Sequence, residues 1–549
     1  MARLKVTGCI VEDWVLGDRY AGLEIGLSRR PSTFHHLPSI LFSSPLSIFH
    51  CFLSIVSCEH VLQRCQICEN IAPFTSAVTF LIFMRKYADL INKTFDFPTA
   101  DFDIQADGLR FHGVPLMEVI RKFGTPCKIT YLPKISDSIQ RAKHMFSEAI
   151  QKYQYSGSYR YCYCTKSSHF EFVLTEALKN DIHLETSSSY DIPIIRHLHQ
   201  RGKIDKDILI VCNGYKRDLY QQYVAELLND GFRNCIPVLD NLEELPYYEQ
   251  EIQNPFEIGI RVASDETPRF ELYTSRLGIR YSEIVDYYRE KLANNPKATL
   301  KLLHVFVNQG IDDSAYYWSE LNRFVEMYCE LRQICPTLDT IDIGGGFPVK
   351  NSLWYTYDYG YIVDQIIENI QSVCRENNTP TPHLLTEFGI YTVGESGATI
   401  YSVLGEKQQN DKERWYMVDG SFITQLPDIW GLNRKFIMLP INHWDQPYQK
   451  INLGGLTCDS MDYYNTEAHR NEVFLPRIPL NDPLYVGFFN TGAYQEAIGG
   501  YGGIQHCLIP APQHIVIDRN EEDELTYQQF APEQDSESML RVLGYATTT

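Results

Sequence analysis

From about residue 155 to 390 the chain repeats one pattern eight times: a short β-rich run, then a helix-length alternation of polar and apolar residues. The runs fall at 160–165, 182–186, 207–212, 235–239, 256–263, 300–307, 338–343 and 383–387, with helix candidates such as 216–230 and 313–333 between them. Strands that alternate with helices pair in parallel, because each helix carries the chain back to the same edge. Eight units in roughly 230 residues suit a closed (β/α)8 barrel, and an open doubly wound sheet is the alternative.

The pattern does not cover the whole chain. At 549 residues the protein is too long for one ordinary core. After residue 395 the helices fade, and 398–404, 414–418, 436–440, 484–489 and 513–518 read as strands. The stretches 108–116 and 126–132 also look extended. The expected organisation is α/β: residues 84–150 as a segment lending strands to a β domain, 151–395 as the barrel, and 396–549 as a C-terminal β domain with an acidic tail.

Residues 1–83 differ from the rest, being rich in Ser, Leu, Phe and Cys with no clear period. The stretch 39–58 is about long enough to span a bilayer, but it holds six serines, a proline and a histidine. The expectation is a poorly ordered or spurious extension, with the soluble protein opening at Met84 and a targeting segment as the alternative. No membrane partner is expected, and the location is expected to be cytoplasmic.

A net charge of -20 argues against a nucleic-acid partner, since phosphate backbones need a basic surface. The 15 cysteines are irregularly spaced. The CxxC at Cys65 and Cys68 lacks a second pair, so no metal site is expected. The cysteines in the body of the chain lie in apolar runs, where they act as small hydrophobes and suit a reducing compartment.

Functional groups of a (β/α)8 barrel stand at the C-terminal ends of its strands. Those ends carry Lys166, Glu185, Asn213, Asp240, the 261–265 stretch, His304 with Asn308, Gly344–Gly345–Gly346, and Glu387. A lone lysine at a strand end is ordinarily a solvated loop residue. Here it shares a mouth with "IDIGGGFP", residues 341–348, whose glycines let backbone N–H groups close on a phosphate. A lysine for a Schiff base, a glycine cradle for a phosphate and an acid for a pyridine nitrogen are what pyridoxal 5'-phosphate requires.

With these motifs the sequence resembles the fold-type III, alanine-racemase-like decarboxylases of ornithine, diaminopimelate and arginine, and most the bacterial-type arginine decarboxylases. The resemblance rests on "YCTKSSH", "ETSSSYDI", "VCNGYKR", "SRLGIR", "DIGGGFP", "TEFG", "GLTCDSMD" and "TGAYQE", and covers roughly residues 84–545. It implies a homodimer with shared active sites and decarboxylation of a basic amino acid, arginine to agmatine first, in polyamine biosynthesis.

The resemblance also implies roles. Lys166 would bind the cofactor covalently, Glu387 would face its ring nitrogen, and Glu185 would lie near the ring. Gly344, Gly345, Gly346 and Tyr494 would hold the phosphate. Cys458 would act at the substrate α-carbon from the partner subunit, with Asp459 and Asp462 meeting the distal charge. Two departures stand out. The family's phosphate-binding arginine is replaced by Ile390, and "LLHVFVNQG" replaces H-x-G-S. Either His304 or Phe306 could cover the cofactor face, a gap-free match favouring Phe306, and Asn308 or Gln309 could help hold phosphate. The alternatives are ornithine, lysine or diaminopimelate decarboxylation, a racemase, and a catalytically inactive regulatory relative.

Overall fold

The computed structural model describes residues 100–263, 276–467, 472–479 and 481–545. The expectations for residues 1–83, for Cys65 and Cys68, and for 264–265 of the 261–265 stretch, with the first residue of "SRLGIR", therefore lie outside the described residues.

The eight β-rich runs form eight strands: β5 (Tyr159–Cys164), β6 (His183–Thr186), β7 (Ile210–Cys212), β8 (Cys235–Leu239), β9 (Phe256–Arg261), β10 (Ala298–His304), β11 (Thr340–Asp342) and β12 (His383–Phe388). Each pairs in parallel with its sequence neighbour, and β12 closes on β5, so the sheet is a closed barrel rather than an open one. Strands such as β7 (IVC) and β8 (CIPVL) are buried along their whole length. This is why they read as continuous apolar runs: a parallel strand in a barrel meets side chains on one face and helices on the other. Cys162, Leu209, Val211, Ile236, Val238, Leu302 and Leu385 pack together as one small core inside the barrel.

Ahead of the barrel lie β1 (Phe102–Gln105), β2 (Gly108–Phe111), β3 (Val114–Pro115) and β4 (Cys127–Tyr131). The first three form a small antiparallel sheet. β4 instead joins the C-terminal part, lying between β13 (Gly397–Gln408) and β20 (Gln513–Arg519), with all five of its residues buried. The ten-stranded sheet is completed by β14 (Arg414–Val418), β15 (Ile437–Pro440), β16 (Tyr448–Gly454), β17 (Tyr463–Tyr464), β18 (Val473–Pro476), β19 (Tyr485–Phe489) and β21 (Leu525–Ala531). The molecule is thus a (β/α)8 barrel with a β-rich domain that takes an N-terminal strand.

Eight of the ten described cysteines are buried, and the two exposed ones are Cys458 and Cys507. Among the described residues no helix is long and apolar enough to cross a membrane.

Candidate active site

The lysine at the end of the first barrel strand is placed by the serines that follow it. β5 ends in a tight turn at Thr165–Ser167, where Ser168 N–H donates to Thr165 O (3.1 Å) and Ser167 Oγ donates to Cys164 O (2.7 Å). The Tyr163 hydroxyl donates to Ser168 O (2.9 Å) from below. The turn leaves the Lys166 side chain 41% exposed at the barrel mouth, its Nζ 2.6 Å from Glu185 Oε2 and 3.5 Å from Cys164 Sγ. Burial alone would lower the Lys166 pKa. The facing Cys164, Glu185 and Glu387 outweigh it and hold the amine well above the ordinary lysine value.

Asn213, at the end of β7, ties the two acids together: its Nδ2 donates to Glu387 Oε1 (2.6 Å) and to Glu185 Oε1 (3.2 Å). The other Glu387 oxygen lies 3.3 Å from His304 Nε2. Glu387 is 4% exposed. Burial opposes its charge, but His304 and then Lys166 hold its pKa down, to about 2. Asp342 behaves in the opposite way. Burial, and then the neighbouring Glu387 charge, push its carboxyl well above the usual range, so this carboxyl stays protonated while Glu387 stays ionised.

The glycine run is locked to the same acid. Glu387 N–H donates to Gly344 O (2.8 Å), and a Cβ on Gly345 would stand 2.2 Å from Glu387 O. Gly344 and Gly346 have φ of +69° and +119°, a region where a side chain is strained. Gly344 N–H donates to Asp342 Oδ1 (2.8 Å). Gly345 and Gly346 N–H donate to no protein acceptor among the described residues. The β domain reaches this group through Tyr494, whose N–H donates to Ser167 O (2.8 Å). Tyr494 itself has φ +66°, an uncommon conformation for a residue with a side chain.

The structure therefore brings Lys166, Glu185, Gly344, Gly345, Gly346, Glu387 and Tyr494 to one mouth. Phe306 stands beside the cradle, its ring 3.1 Å from where a Gly344 Cβ would be. His304, the other ring considered for the cofactor face, is buried against Glu387 instead. Asp462 also departs from expectation. It is buried, and its oxygens accept from Phe422 N–H (2.7 Å), Thr457 N–H (3.1 Å) and the Thr457 hydroxyl (2.7 Å), so it holds the "TCDS" loop rather than facing a ligand. Cys458 and Asp459 are exposed on that loop. Ile390 is half-buried against the barrel core and brings no charge. Sequence reasoning placed Asn213 and the 261–265 stretch at the mouth but gave Asn213 and Arg261 no role, and it did not name Asp342. Arg261, at the end of β9, is close enough to feel the charges of Asp240, Glu387 and Glu185. Each of the three ends a barrel strand or directly follows one, which is the signal that could have found them.

Pyridoxal phosphate fits these residues. An amine stands at the mouth, an ionised carboxylate is buried beneath it, and the two unpartnered N–H groups of the glycine loop suit an anion. The comparisons agree. Residues 136–394 match the model of the pyridoxal-binding domain of pyridoxal-dependent decarboxylases. The chain is 22% identical to a biosynthetic arginine decarboxylase of Prochlorococcus marinus (strain MIT 9215), over 78% of this chain and 84% of the relative. It is 22% identical to biosynthetic arginine decarboxylase 2 of Synechocystis sp., over 72% and 79%. Among solved structures, the biosynthetic arginine decarboxylase from Campylobacter jejuni superposes with a TM-score of 0.69 at 17% identity, covering 82% of this chain and 90% of that one. A diaminopimelate decarboxylase from M. jannaschii in complex with L-lysine gives 0.65 at 14% identity, covering 80% and 96%.

In fold and site the chain is similar to the pyridoxal-phosphate-dependent decarboxylases, whose pyridoxal-binding domain residues 136–394 match. Within that class it is similar to the fold-type III enzymes, and among them to biosynthetic arginine decarboxylases.

Proposed function

We propose that this protein decarboxylates L-arginine, releasing agmatine and CO2 for polyamine synthesis, as a cytoplasmic homodimer whose subunits share their active sites. The observation that carries the chemistry is the pairing of a mouth amine with a buried anionic carboxylate across one glycine cradle: Lys166, Glu387 and Gly344–Gly346. The choice of arginine rests on the names of the relatives at 22% identity.

Bound pyridoxal phosphate supplies the electron sink that breaking a Cα–carboxylate bond needs. The chain's residues do the rest. Gly345 and Gly346 N–H, with Tyr494, would hold the phosphate, and Lys166 would hold the aldehyde end. Phe306 would lie against one face of the ring and keep water from it. Glu387 would keep a proton on the ring nitrogen, because its carboxylate is ionised and Asn213 and His304 fix its direction. Glu185 pairs with the Lys166 ammonium at 2.6 Å and holds it at the mouth. Lys166, as its ammonium, and Cys458 of the partner subunit would be the two groups offered to return a proton to Cα. Asp459 beside that cysteine would meet the distal cation of the substrate.

Cys458 and Asp459 are exposed on their loop, which supports their service to a partner's site. Purified protein offered arginine, ornithine, lysine and diaminopimelate should release CO2 fastest from arginine. A faster rate with another substrate would move the assignment to it, and no release from any would refute the reading. Mixed Lys166→Ala and Cys458→Ala proteins should regain part of the activity through heterodimers with one intact site. Mixtures that exchange subunits yet stay inactive would rule out sharing.

A further inference from the structure

Among the described residues, one cluster of ligating side chains lies outside the barrel mouth, on the surface of the β domain. Cys458 Sγ and Cys507 Sγ are 3.3 Å apart, and His506 Nε2 is 3.8 Å from Cys458 Sγ. All three residues are exposed, and their ligating atoms lie within 4.8 Å of one another. Both loops are held by their own bonds. Thr457 is pinned to the Asp462 carboxylate at 3.1 Å and 2.7 Å. Across from it, Leu508 N–H donates to Gln505 O (3.0 Å) and Ile509 N–H to His506 O (3.2 Å). Cys507 and Leu508 take φ of +54° and +53°, so two consecutive residues with side chains adopt a backbone that they rarely do.

Two sulfurs on one tetrahedral zinc stand about 3.8 Å apart, and a sulfur and an imidazole nitrogen about 3.5 Å, given bonds of roughly 2.3 and 2.0 Å. The Cys458–Cys507 and Cys458–His506 separations differ from these by about half an ångström or less, and the third pair lies within 4.8 Å, which side-chain rotation can adjust. Two thiols and an imidazole select a borderline-soft cation over calcium or magnesium, which prefer oxygen. A disulfide between the same cysteines would need the sulfurs to close to about 2.05 Å and would leave His506 with nothing to do.

We propose that Cys458, His506 and Cys507 form a surface site for a zinc-class divalent cation, with water in a fourth position, and that the bound metal withdraws Cys458 from catalysis. Both thiols bind as thiolates and release their protons to solvent. With three protein ligands and an open fourth position the site is exchangeable, unlike a closed structural centre. The metal site stands on the geometry alone. Its effect on turnover rests on the role proposed above for Cys458.

The test uses the intact holoenzyme, reduced and freed of metal by chelation, titrated with Co2+ as a visible probe. One equivalent per chain should produce the intense ligand-field absorption of tetrahedral, thiolate-bound cobalt, and Zn2+ should displace it. His506→Ala and Cys507→Ser should each weaken the titration at least as much as the roughly 10–100-fold that follows loss of a ligand's supporting partner. Only the pale spectrum of hydrated cobalt, or an unchanged titration in the His506→Ala/Cys507→Ser double variant, would overturn the site. Peroxide that removes both thiols from a protein that takes no metal when reduced would assign the pair to a disulfide and also overturn it. Zn2+ should inhibit CO2 release by the wild-type enzyme and spare Cys507→Ser, which keeps its basal turnover. Equal inhibition of both, or of neither, would overturn the link to Cys458. Because the cobalt spectrum needs no turnover, an enzyme without decarboxylase activity would fail the proposed function and leave the metal site to its own result.

Discussion

Replacing Glu387 by Gln changes one charge and almost no volume. The carboxylate is 4% exposed and is held from both sides, by Asn213 Nδ2 at 2.6 Å and His304 Nε2 at 3.3 Å. A glutamine can still accept from one of these partners, but its amide then turns N–H toward the other, at a cost of about 1–3 kcal/mol in stability. The catalytic cost is separate. A unit charge facing a protonated ring nitrogen at about 4 Å contributes about 4 kcal/mol at the effective dielectric of roughly 20 that suits protein sites. Lost from the transition state alone, that is about a thousandfold in kcat, at roughly 1.4 kcal/mol per factor of ten. The assay is initial-rate CO2 release at saturating substrate and cofactor. Thermal melting would follow the stability change, and cofactor absorbance would confirm occupancy. Asp342→Asn serves as the control: burial beside Glu387 already keeps Asp342 neutral, so an amide there should leave most of the activity. A cofactor-loaded Glu387→Gln enzyme within about tenfold of wild type would refute the reasoning, as would an Asp342→Asn enzyme as slow as Glu387→Gln.

Lys166→Ala should retain the phosphate end of the cofactor yet lose both turnover and the borohydride-fixed label; a label mapped to another lysine would remove Lys166 from its role. Gly345→Ala places a Cβ 2.2 Å from Glu387 O, so the cradle must shift. Cofactor affinity should fall in an equilibrium titration, with stability lowered by about 1–3 kcal/mol. His514 is buried beside Thr130, Lys128 and Glu496, and burial lowers its pKa from 6.5 to about 4. The unfolded chain therefore takes up this proton first as pH falls. The stability His514 contributes is fully present above pH 6.5 and is lost on acidification toward pH 4, by about 3 kcal/mol. Denaturant midpoints for wild type and His514→Gln should diverge in slope across that window, and parallel curves would contradict the assignment.

The sequence by itself determined eight alternating βα units and their parallel pairing. Each of the eight runs carries its own period and its own apolar content, but the pattern left an open doubly wound sheet as the alternative, and only the pairing of β12 with β5 closed the barrel. It also determined Lys166, the glycine run and Glu387 as members of one site, because strand ends in a barrel share a mouth whatever the details of packing. Tertiary structure decided how these groups work. His304 and Phe306 are two residues apart and look interchangeable in a list of strand residues. β10 ends at His304, however, and Val305 N–H turns to Asp342 O, which sends one ring down to Glu387 and leaves the other beside Gly344. Asp462 looks like a free acid beside "TCD" until the fold brings Phe422, forty positions away, to its carboxylate. The division of charge between Asp342 and Glu387, and the meeting of Cys458 with His506 and Cys507, arise in the same way. Hydrogen bonding, burial and metal-ligand spacing are distances in space. A chain states them only where neighbours in sequence are also neighbours in the fold.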